Sequence, residues 1–290
     1  MKKNIIVLKN QGFCYGVVRA CELCNNNLDQ MEKPIYFLGN LVHNKKVNDY
    51  FKEKGIVILN DLTRMEMLNN INKGTVVLTA HGVGSNVYQK LKEKNLNFLD
   101  TTCPFVLRAS KLIHEHLNKG YSILYIGKNH HPEAEGVLSE STNIHLIENI
   151  NDVHNLNITN NLIAVTYQTT MSIDDIQDII NEIKNKYPNV VVLESICNAT
   201  KNRQKELTDT LSKFEDYPTL VIVVGDPSSN NTEMLVQRAK AFPNTYVIKV
   251  ENSFDSKLDI VDKYDNIVVT SGASTPIDLV NSVIDKISLI

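Results

Sequence analysis

The sequence predicts an α/β fold made of three pseudo-equivalent βαβ lobes, each a parallel sheet with flanking helices. Two observations predict it. Short apolar runs rich in β-branched residues alternate with amphipathic segments such as 174–187 (DDIQDIINEIKNKY) and 232–242 (TEMLVQRAKAF), the pattern of parallel strands covered on both faces. One ordered set of landmarks also occurs three times, which indicates an internal triplication.

In chain order, the runs at 5–8 (IIVL), 57–59 (VIL), 76–80 (VVLTA), 122–126 (SILYI), 162–166 (LIAVT), 190–194 (VVVLE), 220–225 (LVIVVG) and 266–270 (NIVVT) read as strands. The first landmark is a cysteine just past a strand: Cys14 after IIVLKNQGF, Cys103 after NFLDTT and Cys197 after VVVLESI, spaced 89 and then 94 residues apart. The second is a strand ending in glycine with a polar residue four positions on: His43 after Gly39, His131 after Gly127 and Ser229 after Gly225. The third is a strand ending in Leu/Val-Thr, followed by His81 in VVLTAHG, Thr169 in AVTYQTT and Ser274 in VVTSGAS. The landmarks divide the chain into lobes at 10–99, with Cys14, His43 and His81; at 100–193, with Cys103, His131, Glu133 and Thr169; and at 194–290, with Cys197, Ser228, Asn230 and Ser274. Ligand groups gather at the carboxyl ends of parallel strands, so lobes facing one axis predict one shared site rather than three.

A chain of 290 residues with net charge −3 carries no basic stripe, which argues against a nucleic-acid partner. No apolar stretch is long enough to span a membrane and the N-terminal MKKNIIVLKN turns polar too soon for a signal peptide, so a cytoplasmic location is expected. Five cysteines without an export signal fit reduced thiols or metal ligands better than disulfides.

Three cysteines at corresponding corners point to ligation of a metal or cluster. Cys21 and Cys24 do not: with Val17 and Leu28 they occupy one face of a helix, and neither has a counterpart after Cys103 or Cys197. His114, His116, His145 and His154 lie off the landmarks and are expected at the surface or satisfied inside, while His130 stands ambiguously beside His131. Glu133 and Glu135 follow Pro132, where acids in a first helical turn are ordinary. The SSNNTE segment is likewise a helix start, and its serine, asparagine and backbone N–H groups also suit a phosphate. Three thiolates leave one coordination place open. Zinc with water is one way to use them; spacings near 90 residues are unlike paired zinc ligands and favour a [4Fe–4S] cluster with one iron left for substrate. The surrounding His, Ser, Asn and Thr donors suit a diphosphate, with Glu133 the one well-placed acid.

Through GFCYGVVRA, LVHN, TAHGV, DTTCP, HHPEAEG, TYQTT, ICNATKNRQ, SSNN and SGAS, in order and over essentially the whole chain, the sequence resembles the 4-hydroxy-3-methylbut-2-enyl diphosphate reductase family. The resemblance implies one [4Fe–4S] cluster held by Cys14, Cys103 and Cys197, and a first strand within residues 1–9 that completes the sheet of the third lobe. It implies that His43, His81, His131, Ser228, Ser229, Asn230 and Ser274 hold a diphosphate substrate, with Glu133 as proton donor and Thr169, also a substrate contact, in the relay beside it. The implied reaction is the two-electron, two-proton removal of the hydroxyl group to give isopentenyl and dimethylallyl diphosphate, the last step of the non-mevalonate isoprenoid pathway. Ferredoxin or flavodoxin is the implied electron donor. Two departures from the family pattern stand out: the loop before SSNN reads GDP where a Lys- or Asn-containing stretch is expected, and Val18 holds a place that is often acidic. The alternative reading, an iron–sulfur redox sensor, explains the thiolates but not the diphosphate ring, and no DNA-reading output helix is evident.

Overall fold

The structure, a computed structural model, describes residues 3–60 and 62–290. Met1 and Lys2, counted above with the first strand, lie outside the described residues. The strands are β1 (Asn4–Val7), β2 (Ile35–Leu38), β3 (Val57–Leu59), β4 (Thr75–Leu78), β5 (Asn97–Asp100), β6 (Ser122–Ile126), β7 (Ile144–Ile147), β8 (Ile163–Tyr167), β9 (Val191–Val192), β10 (Thr219–Val224), β11 (Thr245–Val250) and β12 (Asn266–Ser271). The helices are α1 (Tyr15–Asn27), α2 (Lys45–Glu53), α3 (Arg64–Asn69), α4 (Ser85–Glu93), α5 (Pro104–Leu117), α6 (Pro132–Leu138), α7 (Ile150–Asn155), α8 (Ile173–Lys186), α9 (Asn198–Leu211), α10 (Asn230–Lys240) and α11 (Ile277–Ser288).

All strand pairs are parallel, in three sheets of order β3-β2-β4-β5, β7-β6-β8-β9 and β1-β12-β10-β11. Read from the second strand of each repeat, the order is the same three times: second, first, third, fourth. In the last sheet the fourth place is taken by β1, in register from Asn4 opposite Asn266 to Val7 opposite Val269. The expected triplication is therefore present in topology, and β1 belongs with β10–β12 as the resemblance implied.

The chain divides into two compact units. The first comprises Met1–Val17, His43–Lys45 and Cys197–Ile290 and contains the β1-β12-β10-β11 sheet; the second comprises Val18–Val42 and Lys46–Ile196 and contains the other two sheets. The inner strands β4, β6, β8 and β10 are buried along their whole length, which is why they read as continuous apolar runs. In the first unit Leu220, Ile222, Val224, Ile267 and Val269 pack with Val280, Val283 and Ile287 of α11, while Val221 and Val223 face Leu207, Leu211 and Leu235 of α9 and α10. Helix α8 shows how a covering helix is specified. The Ser172 side chain caps it by accepting from Asp175 N, and Ile176, Ile179, Ile180 and Ile183 form one buried stripe, each worth about 1.5–3 kcal/mol of burial. The predicted stripe on α1 is also met: Val17 and Cys24 are buried, Cys21 is half-buried, and Leu28 falls in the 3₁₀ turn that follows.

Candidate functional site

The second-first-third-fourth order reverses direction between the first and third strands of each sheet, and the loops leaving those two strands flank the crevice where parallel sheets bind ligands. The second landmark follows the first strand of each repeat and the third landmark follows the third strand. The cysteine landmark follows the fourth strand and immediately precedes a long helix: Cys14 before α1, Cys103 before α5 and Cys197 before α9. Cys103 and Cys197 are the N-caps of their helices. Unpaired N–H groups at such positions offset the charge that a metal-bound thiolate carries.

In the first unit, one loop links the two cysteines. Ala273 O accepts from Cys14 N at 2.9 Å, and Ala273 N donates to Asn231 Oδ1 at 3.0 Å. Asn231 Nδ2 donates to Thr200 Oγ1 at 3.0 Å, and Thr200 Oγ1 lies 3.0 Å from Cys197 Sγ, which also accepts from Thr200 N at 3.3 Å. Helix α9, which starts at Cys197, grips the loop that carries Cys14. Glu206 accepts from Lys9 N at 2.6 Å and from Asn10 N at 2.9 Å, and Arg203 donates to Gly12 O at 2.7 Å. Gly12 itself needs its φ of +71° to make this corner, and a Cβ there would press on Ile277.

The polar loops of the same unit also converge. Ser229 is buried as the N-cap of α10, Ser274 Oγ lies 3.5 Å from Ser229 Oγ, and Ser274 donates to His43 O at 2.8 Å. Asn230, the first residue of α10, is buried beside them. Asp226 accounts for the unexpected GDP loop. Its carboxylate accepts from Ser228 N at 2.9 Å, from Ser228 Oγ at 2.6 Å and from Lys45 N at 2.9 Å. Burial works to raise this carboxyl, but those donors prevail and hold it below the ordinary value. The exposed Ser228 thus donates its hydroxyl hydrogen bond to Asp226, whereas Ser229, Asn230 and Ser274 form the buried part of the loop cluster.

In the second unit, Glu133 on α6 is 4% exposed. One carboxylate oxygen accepts from Thr169 N at 2.8 Å, the other from Thr169 Oγ1 at 2.9 Å, and Tyr125 OH stands 3.5 Å away. Burial pushes the carboxyl up to about 7, against the pull of the Thr169 and Tyr125 donors. Burial and the neighbouring carboxylate push the Tyr125 hydroxyl well above its usual value. His131 caps α6, its Nδ1 accepting from Glu133 N at 3.1 Å, so the neutral ring carries its proton on Nε2 and presents a donor there. The His81 ring meets the His131 ring edge-on at 5.8 Å, and Cys103 N donates to Ala80 O at 3.0 Å, next to His81. A cavity of about 230 Å³ is lined by His81, Thr102 and Glu133 and continues past Tyr88 to the His114–Glu140 pair.

His131, Glu133 and Thr169 are therefore brought together in one unit with His81, and Cys14, Cys197, Ser229, Asn230 and Ser274 in the other with His43. Among the described residues, no group of three or more His, Cys, Asp or Glu side chains is placed to hold a single metal ion. None of the five cysteines is in a disulfide, which keeps Cys14, Cys103 and Cys197 available as ligands. Cys24, by contrast, is fully buried, and burial raises Cys21 to about 11 and Cys24 further still, as expected of core residues. His130 is an exposed turn residue with φ of 58°, and Glu135 pairs with Arg64 at 2.6 Å. Sequence reasoning missed Tyr125, Thr200, Arg203, Asp226 and Asn231. Arg203 and Thr200 lie inside the ICNATKNRQ segment already singled out, which is the signal that marked them.

A family model described as LytB protein matches residues 5–288. The chain is 42% identical over 285 residues to a 4-hydroxy-3-methylbut-2-enyl diphosphate reductase of Geobacillus sp. (strain WCH70), covering 97% of this chain and 89% of that one. Among solved structures it is similar to the E-1-hydroxy-2-methyl-but-2-enyl-4-diphosphate reductase from Plasmodium falciparum, with a TM-score of 0.88, 31% identity, and 98% and 88% of the two chains covered. It is also similar to a structure described as (E)-4-hydroxy-3-methyl-but-2-enyl diphosphate reductase, the terminal enzyme of the non-mevalonate pathway, with a TM-score of 0.67, 25% identity, and 99% and 100% covered.

Proposed function

The chain belongs to the LytB family, and on that premise we propose that it is an oxidoreductase that reduces (E)-4-hydroxy-3-methylbut-2-enyl diphosphate to isopentenyl and dimethylallyl diphosphate. The reaction breaks the allylic C–O bond, takes up two electrons and two protons, and releases water. Cys14, Cys103 and Cys197 would hold one [4Fe–4S] cluster. The fit rests on their chemistry: three cysteines outside any disulfide, each directly preceding a long helix, with no fourth cysteine at a corresponding place. When bound, such a cluster supplies electrons one at a time and a Lewis-acidic iron that carries no protein ligand.

The chain's own residues then have distinct tasks. Ser229, Asn230 and Ser274 present hydroxyl, amide and helix N-terminal donors to a diphosphate, and His43, whose backbone oxygen Ser274 already holds, adds a ring. Ser228 joins them from the same loop, its hydroxyl donating to Asp226 and held in place by that carboxylate. His81 and His131 supply ring donors for the same anion, His131 through Nε2–H. Glu133 stores the proton for the departing oxygen. The observation that carries this reading is its carboxyl, buried, held at both oxygens by Thr169, and raised to about 7, so that near neutral pH it can both hold and release a proton. Thr169 keeps it oriented, and its hydroxyl, hydrogen-bonded to Glu133, is the group that would relay the proton.

Among the described residues no helix is long and apolar enough to cross a membrane, and we place the reaction in the cytoplasm with ferredoxin or flavodoxin as electron donor. Anaerobic protein given reduced viologen tests the proposal. Viologen oxidation that starts on adding the hydroxylated diphosphate, with isopentenyl and dimethylallyl diphosphate as products, is expected; a cluster that is oxidised without consuming the diphosphate would instead fit a redox sensor.

A further inference from the structure

Arg203 is a cation in an unusual setting. It is 4% exposed, in the second turn of α9. Nη1 donates to Ser271 O at 2.7 Å, with Ser271 Oγ at 3.3 Å, and Nη2 donates to Gly12 O at 2.7 Å, while Nε is buried with no hydrogen-bond partner. Among the described residues no carboxylate lies within ion-pair distance of it. A guanidinium taken out of water costs several kcal/mol unless an opposite charge answers it, and the carbonyl and hydroxyl contacts of Nη1 and Nη2 do not neutralise it. Burial accordingly works to lower its pKa. The attractions that oppose this come first from Cys14, then from Cys197, and only then from Glu206. The structure thus leaves one buried positive charge on the helix that Cys197 caps, in contact with Gly12, two residues before Cys14.

We propose that Arg203 is a positioning residue for the iron–sulfur cluster: it anchors the Cys14 loop through Gly12 O and Ser271, and its charge balances the Cys14 and Cys197 thiolates, raising the cluster's reduction potential. This deepens the proposed function and rests on its cluster. A net negative cluster beside a fixed buried cation is easier to reduce than the same cluster without it, because the added electron is met by a charge already in place.

The test uses the full chain, loaded with iron and sulfide without air, as wild type, Arg203→Lys and Arg203→Met. Iron and sulfide content and the midpoint potential from a dithionite titration followed by electron paramagnetic resonance are the readouts. Arg203→Lys keeps the charge and is expected to hold the cluster at a potential close to wild type. Arg203→Met is expected either to hold it at a clearly more negative potential or to lose most of its iron while Arg203→Lys keeps it. Equal loss of iron in both variants assigns Arg203 a purely structural role and overturns the proposal, as do two loaded variants with the wild-type potential or with the same shift. Wild type that takes up no iron overturns the cluster itself and this inference with it; a loaded wild type with unmoved variants overturns this inference alone.

Discussion

Replacing Glu133 by Gln tests whether its carboxyl is held neutral by its surroundings. The carboxyl rises from an ordinary 4.5 to about 7 on folding. At 1.36 kcal/mol per tenfold change, this sets the folded chain back by about 3 kcal/mol once the pH is high enough to ionise the group in both states. The sign follows from proton counting. Between pH 4.5 and 7 the folded state holds a proton that the unfolded state has released, so stability is fully present below 4.5 and is lost as the pH rises through 7. Gln keeps the shape and does not titrate. The wild type should therefore lose about 3 kcal/mol relative to Glu133→Gln between pH 4 and pH 8, measured as the difference in urea unfolding free energy of the cluster-free proteins across that range. Two stability curves that stay parallel would refute the reasoning, because they would mean that Glu133 titrates alike folded and unfolded. In the loaded enzyme the same change should leave diphosphate binding near wild type and lower turnover by roughly 10²–10⁴-fold.

Two further outcomes follow from other contacts. Glu135→Gln leaves the Arg64 guanidinium, 6% exposed in its side chain, without its counter-charge; because Glu135 is itself about one-third exposed, the loss should be about 2 kcal/mol by urea unfolding, below the full cost of breaking a buried pair, and an unchanged midpoint would contradict it. Ser274→Ala removes the hydroxyl that ties His43 O to the Ser229 loop, and should raise KM for the diphosphate by roughly fivefold, the worth of about one hydrogen bond, with kcat little changed; an unaltered KM would remove Ser274 from the binding loop.

The inner strands were legible because burial on both faces makes them continuous apolar runs, and the three landmarks were legible because each marks the carboxyl end of a strand at a fixed place in a repeated topology. Strands β7 (IHLI) and β11 (TYVIKV) were not, since both are edge strands and mix polar residues into the run, with Tyr246 exposed and Lys249 paired with Glu233. Strand β9 shrank to Val191–Val192 because the chain leaves the sheet early to reach Cys197. The pairing of Thr169 with Glu133 joins residues 36 apart across neighbouring loops, and was readable only through the family resemblance. Arg203 and Tyr125 were hidden for a different reason. An arginine in a polar helix and a tyrosine in an apolar strand look ordinary in sequence, and only the fold reveals that one is a buried cation holding the Cys14 loop through Gly12 and the other stands at the Glu133 carboxyl.

Iron and acid-labile sulfide analysis of protein purified without air tests the central claim, that Cys14, Cys103 and Cys197 together carry one cluster. About four irons and four sulfides per chain are predicted. The content should collapse when any one of these three cysteines becomes Ala and persist when Cys21 or Cys24 does. Colourless wild-type protein, or iron that survives loss of Cys103, would contradict the account.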